Sequence, residues 1–183
     1  MNKKIALLFP LLGLALLLVF SGSLAAAALK IGYQAGNMKF AKVISETDQK
    51  YLGLKTPGPF TLRDVQTKYV LIEVLNANCP HCMEQAGAMN RLYRLVEGSD
   101  LKDRLKFIGV LSNSEAAVNR WKKAYKVPFA LAPDPEGEIA GDLNITGTPT
   151  TVVVDKSGKV MVLHDGVFGD PNKAFNQLKA KLK

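Results

Sequence analysis

Tyr69-Val70-Leu71-Ile72-Glu73-Val74-Leu75-Asn76-Ala77-Asn78-Cys79-Pro80-His81-Cys82 is the stretch that decides the fold. Its first seven residues are apolar apart from Glu73, and several are β-branched. That pattern predicts a strand buried on both faces, of the kind found inside a parallel sheet. Asn76 to Asn78 breaks it, and a helix is expected to start at the cysteine pair. Pro80 then falls in the first turn, where its missing N–H costs nothing. Ala86, Met89, Tyr93 and Val96 recur every three or four residues, flanked by Leu92 and Leu95, and predict a core-facing stripe. Gly98 is placed to end that helix.

Downstream, Leu105–Leu111 repeats the buried-strand pattern. Ser112 and Glu115 have the spacing of a capping box. The helix they would open carries Ala116, Ala117, Trp121 and Tyr125 and stops before Pro128. A short segment at 129–131 and a helix start at Asp134-Pro135 follow. Gly147-Thr148-Pro149-Thr150 leads into a strand at 151–154, and Asp155-Lys156-Ser157-Gly158 is turn chemistry. Residues 160–163 return as a hairpin partner, and Asp170-Pro171 opens a last helix ending near Leu182. The order predicts an α/β fold with a central mixed β-sheet flanked by helices. A helical crossover makes the first two strands parallel, and the hairpin adds antiparallel ones. Residues 39–45 and 60–62 read as strands that add N-terminal edges to the sheet.

Lys3 and Lys4, the apolar run 5–20, and Ser21 to Ala28 follow the basic, apolar, small order of a secretory signal peptide. Ser23-Leu24-Ala25 or Ala26-Ala27-Ala28 would serve as its cleavage site. Left uncleaved, residues 5–29 are long enough to anchor the chain across a bilayer of ~30 Å. No cysteine follows the run, which excludes a lipoprotein anchor. Residues 1–28 are thus a signal peptide or membrane anchor, and residues 29–183 form one extracytoplasmic domain. The net charge of +8 comes from Lys and Arg scattered among apolar residues, the pattern of a solvated face rather than a nucleic-acid footprint.

The chain has two cysteines, three positions apart. A bridge across two residues closes almost no loop and stabilises little. In an oxidising compartment such a pair points to chemistry rather than to a structural staple. At the mouth of a helix, the Cys79 sulfur would face unpaired N–H groups and the positive end of the dipole, both of which favour a thiolate. Cys79 is therefore expected to attack a disulfide, and Cys82, one turn inside and shielded, to resolve the mixed disulfide. The His81 imidazole would stabilise the Cys79 thiolate and make the disulfide more oxidising. Glu73, in the middle of a buried strand, should have a raised pKa and is placed to exchange a proton with Cys82. His164 reads as a surface residue and Trp121 as core. Nothing in the sequence calls for an organic cofactor.

These residues together resemble the thioredoxin superfamily, and most closely its extracytoplasmic TlpA/ResA-type redoxins, over residues 60–182. The strand, active-site turn and helix are similar around Cys79-Pro80-His81-Cys82, and Glu73 matches the family's buried acidic residue. Gly147-Thr148-Pro149-Thr150 resembles the family's cis-proline loop. The resemblance implies a three-layer thioredoxin-like fold with a TlpA-type insert around 127–143. It implies a cis Pro149, and Thr148 and Pro149 beside the disulfide in contact with substrate. Asn78 departs from the usual Trp before the first cysteine, which leaves substrate choice open. Pro80-His81 is similar to DsbA-type oxidases, whereas the scaffold is similar to reductive members.

The expected activity is thiol–disulfide exchange with secreted or membrane-anchored proteins, by a monomer served by a membrane electron donor or acceptor. It would act as a reductant, for example in cytochrome c maturation, or as an oxidant. The alternative is a copper chaperone using Cys79, Cys82 and a histidine, since Cu(I) favours thiolates; related chaperones space their cysteines by three residues. Structural zinc lacks ligands, and a peroxidase is disfavoured because both cysteines share one helix start.

Overall fold

A computed structural model describes residues 28–182. The expected signal or anchor segment therefore lies, but for Ala28, outside the described residues. The elements in chain order are β1 (Lys39–Phe40), α1 (Glu46–Leu52), β2 (Phe60–Thr61), β3 (Tyr69–Leu75) and α2 (Pro80–Glu97). There follow β4 (Leu105–Leu111), α3 (Glu115–Tyr125), β5 (Ala130–Pro133), α4 (Glu138–Asp142), β6 (Thr150–Asp155), β7 (Val160–Asp165) and α5 (Pro171–Lys181). Among the described residues no helix is long and apolar enough to cross a membrane.

The central sheet is mixed and runs β5-β4-β3-β6-β7. β3 is parallel to β4 and antiparallel to β6. With two strands on each side, β3 is the middle strand, and all seven of its residues are buried. Its side chains alternate between two cores, as strand geometry requires. Tyr69, Leu71 and Leu75 pack with Met89 and Leu92 of α2, Trp121 of α3 and Leu178 of α5. Val70, Ile72 and Val74 pack with Phe40, Leu52, Leu62 and, from α4, Ile139. Each such buried aliphatic side chain contributes about 2 kcal/mol. The result is the three-layer arrangement expected.

The N-terminal region differs from the sequence expectation. Residues 39–45 contribute two strand residues, and β1 pairs with β2 as a separate two-stranded sheet instead of extending an edge of the central one. Phe40 and Phe60 stack at 4.8 Å and press this ribbon onto the sheet face. α1 was not anticipated. Its cap is nevertheless regular: the Ser45 side chain accepts from Asp48 N–H, and Gly53 closes the helix at φ 70°.

The capping box at Ser112 and Glu115 does not form; the N-cap is Ser114, two residues later. Ser112 is held by its own N–H, which donates to Leu75 O and continues the strand ladder. The Asp134-Pro135 start is likewise displaced to Glu138. The Asp134 carboxylate accepts from the N–H groups of Glu138, Ile139 and Ala140. The insert expected around 127–143 thus supplies edge strand β5 and helix α4. Gly109 of β4 is required by β5: a Cβ there would lie 2.4 Å from Leu131 Cδ2.

Asp48 joins three elements. It is 3% exposed, forms an ion pair with Lys122 of α3, and accepts from Leu131 N–H of β5. Lys122 also donates to Phe129 O at 2.8 Å. Breaking a buried pair leaves the surviving charge without its partner. Asp48→Ala is therefore expected to destabilise the protein by about 2–3 kcal/mol in urea titrations, a loss moderated by the partial exposure of Lys122.

Glu73 is the one charged residue of β3, and burial pushes its carboxyl up to about 7, against a smaller opposing effect of the Gln85 hydrogen bond. The folded protein thus holds this proton more tightly than the unfolded chain does. The group's contribution is full below pH 4.5, falls as pH rises towards 7, and is absent above it. The total is about 3 kcal/mol. Glu73→Gln should flatten the stability–pH curve between pH 4.5 and 7 and raise the melting temperature at pH 8. A curve of unchanged slope would contradict this.

Candidate active site

The site is built where β3 ends and α2 begins. Leu75 is the last strand residue, and the turn after it is tied from two sides. Asn76 Oδ1 accepts from Asn78 N–H at 2.9 Å, and Asn113, just past β4, accepts from Ala77 N–H at 2.7 Å. Cys79 is the N-cap of α2, with Pro80 inside the first turn. Its side chain forms no cap hydrogen bond.

Cys79 is partly exposed and Cys82 fully buried; both are free thiols. Cys79 Sγ lies 3.4 Å from Thr148 O. Desolvation opposes ionisation of Cys79. It is outweighed by the polar groups facing the sulfur, the Thr148 and Cys82 side chains and the N–H groups of Cys82 and His81, so the thiol sits below its ordinary range. Cys82 shifts the other way. Burial pushes it up to about 11, and the adjacent Cys79 sulfur adds to the shift. One sulfur is thus accessible and readily ionised, and the other is shielded and protonated at neutral pH.

Behind Cys82, Glu73 lines the same narrow internal gap, together with Leu75, Ala86, Met89 and Trp121. Glu73 is 2% exposed, and its Oε1 accepts from Gln85 Nε2 at 3.2 Å. Gln85 carried no signal in the sequence, because a glutamine on a helix reads as a solvent-facing residue. Asn113 was missed as well; it lies in the loop just past β4, and its contact with Ala77 joins residues 36 positions apart.

The His81 ring is 73% exposed, with Nδ1 3.6 Å from Glu84 Oε2, while its backbone N–H serves Cys79. Thr148–Pro149 is cis, and both residues wall a groove of about 540 Å³ with Asn144, Thr150 and Asp165. On the other side of Cys79, Asn78 lines a groove of about 310 Å³ with Asn113, Arg120 and Tyr125. Five of the six site residues expected from sequence (Cys79, Cys82, Glu73, Thr148 and Pro149) are brought together; of His81, the main chain joins them. His164 is not the surface residue expected: it is half-buried against Phe168, with its Nε2 enclosed.

Among the described residues, no three His, Cys, Asp or Glu side chains form a metal-binding cluster. The copper alternative therefore lacks its third ligand, since His81 turns to Glu84 and His164 lies on β7.

Known proteins place the chain. A Paracoccus denitrificans thiol:disulfide interchange protein DsbE homolog is 30% identical over 115 residues, 60% of this chain and 59% of the relative. A Bacillus cereus thiol-disulfide oxidoreductase ResA is 26% identical over 149 residues, 79% of this chain and 73% of the relative. The chain thus spans about three-fifths of the length of the first of these relatives. A Chlorobium tepidum crystal structure, assigned as a thiol:disulfide interchange protein DsbE, superposes with a TM-score of 0.66 at 20% identity. It covers 85% of this chain and all of that one, and shows the same fold. Residues 41–163, from before α1 through most of β7, match the AhpC/TSA family, and the chain belongs to that family.

Proposed function

We propose that this protein is a thiol–disulfide oxidoreductase that exchanges a disulfide between Cys79/Cys82 and other extracytoplasmic proteins. The observation that carries the reading is the asymmetry of the two sulfurs. Cys79 is accessible and hydrogen-bonded at a helix start, and Cys82 is buried behind it with a raised pKa. The activities named for the Paracoccus and Bacillus relatives support it.

The steps follow from those properties. The Cys79 thiolate attacks one sulfur of a substrate disulfide; a mixed disulfide forms and the other substrate sulfur leaves as a thiolate. Cys82 then gives its proton to the Glu73 carboxylate and attacks Cys79 Sγ. The Cys79–Cys82 disulfide forms, and the second substrate sulfur leaves. Two electrons have passed to the substrate. Run backwards, the same steps oxidise a substrate dithiol. Thr148 and Pro149 border the groove beside Cys79, where a substrate chain would lie. His81 would favour the reduced pair through its main-chain N–H, which faces the Cys79 sulfur, while its ring is exposed beside Glu84. The basic, apolar, small order of residues 1–28, read as a signal peptide or membrane anchor, supports export, and a membrane electron donor or acceptor would reset the pair.

Cys79→Ser should abolish disulfide exchange while leaving the fold intact. Cys82→Ser should still attack but stall as a mixed disulfide, visible by mass spectrometry. Exchange retained in Cys79→Ser overturns the reading. Thiolate absorbance of the reduced protein should rise in two separate steps. The first is expected below pH 9 and belongs to Cys79; the second, for Cys82, should come at about 11. One combined step at the ordinary thiol value would contradict the asymmetry.

A further inference from the structure

Gln85 is fully buried, sits one turn beyond Cys82 on α2, and has no place in the exchange steps above. Both ends of its amide are nevertheless engaged. Oε1 accepts from Phe168 N–H at 2.9 Å, and Nε2 donates to Glu73 Oε1 at 3.2 Å and towards Thr151 Oγ1 at 3.4 Å. A backbone N–H can only donate, so Phe168 fixes which end of the amide faces it. The NH₂ end is thereby turned to Glu73. Three elements are tied at this point: β3, β6 and the loop before α5.

The consequence falls on the carboxyl. An amide nitrogen has no lone pair to offer, so the Glu73 oxygen it holds must act as acceptor. In a protonated carboxyl the carbonyl oxygen accepts better than the hydroxyl oxygen, so a proton taken up by Glu73 is favoured on Oε2. We propose that Gln85 is a positioning residue for the redox reaction, pinning Glu73 Oε1 so that Oε2 is the oxygen that exchanges a proton with Cys82. This rests on the reading of Glu73 as the proton acceptor of Cys82. The same hydrogen bond stabilises the carboxylate, countering the desolvation that keeps the group protonated.

The surroundings of Glu73 leave this role to Gln85. In register with Glu73 on β4 is Gly109, which has no side chain. On β6 it is Thr151, whose hydroxyl already faces the amide. The titratable groups nearby are Cys82 on α2 and His164 on β7, the latter one strand further along the same row. Trp121 of α3 and Asn90 of α2 complete the gap without a charge.

The test is a carboxyl-carbon NMR titration of Glu73 in the reduced protein, compared with Gln85→Met, together with stopped-flow measurement of mixed-disulfide resolution. Losing a hydrogen bond to a charged group should move the Glu73 midpoint to higher pH by about one unit. Resolution at pH 7 should slow about fivefold, because the ionised fraction falls from about one half to about one tenth. Gln85→Glu keeps an acceptor for Phe168 and serves if Gln85→Met does not fold. Two carboxyls in contact share a proton, so the midpoint should again rise. A Glu73 midpoint that stays put in folded variants overturns the proposal, since a purely structural Gln85 would change stability alone. Unchanged resolution in Glu73→Gln would instead overturn the acid–base reading of Glu73, whatever Gln85→Met does to the titration.

Discussion

The join between β3 and α2 is the constraint on which the rest depends. A strand buried on both faces cannot shift its register without exposing a full set of apolar side chains. β3 therefore fixes where α2 starts, and α2 fixes the depth of each sulfur. Cys79, at the N-cap, keeps contact with solvent and with free N–H groups. Cys82, three residues on, is carried into the core that β3 builds. The loop bearing Thr148 is set by β6, whose register with β3 runs from Thr150 to Asp155. The chemistry of the two sulfurs thus follows from one strand end.

Two carboxyls buried in this core meet partners of different chemistry. Glu73 meets Gln85, and Asp48 meets Lys122. They differ in what the charge does. Asp48 and Lys122 are held as an ion pair between α1 and α3, where they fasten the outer helices to β5. Glu73 has a neutral partner, so desolvation dominates and its carboxyl titrates near neutrality. A group that is half-ionised at neutral pH can take and return a proton with little driving force either way. An ion-paired carboxylate in its place would hold its charge and lose that capacity.

The central architecture was legible in the sequence because local patterns there are strong. The unbroken apolar runs at Tyr69–Leu75 and Leu105–Leu111 admit little besides buried strands, and the turn at Asp155 to Gly158 fixes the hairpin. The N-terminal region was not legible. Residues 39–45 alternate like a strand, but the pairing of β1 with β2 is decided by distant contacts between Phe40 and Phe60. α1 is seven residues long, too short for periodicity to stand out, although Ser45 and Gly53 marked its ends. Ser112 matched a capping box but was claimed by the strand ladder through Leu75 O. At the site, the cysteine pair and Glu73 stood out because each is an unusual residue for its position. Gln85 and His164 did not, because their burial comes from the Phe168 loop and α5, far along the chain.

The most direct test of the account is the reduction potential of the Cys79–Cys82 pair, measured by equilibrating the protein with glutathione buffers. One reversible two-electron transition involving both cysteines is predicted, within the range of exchange enzymes at about −120 to −270 mV. Its position would assign the direction of electron flow. Two cysteines that each form glutathione adducts, with no internal disulfide at any ratio, would contradict the account at its root.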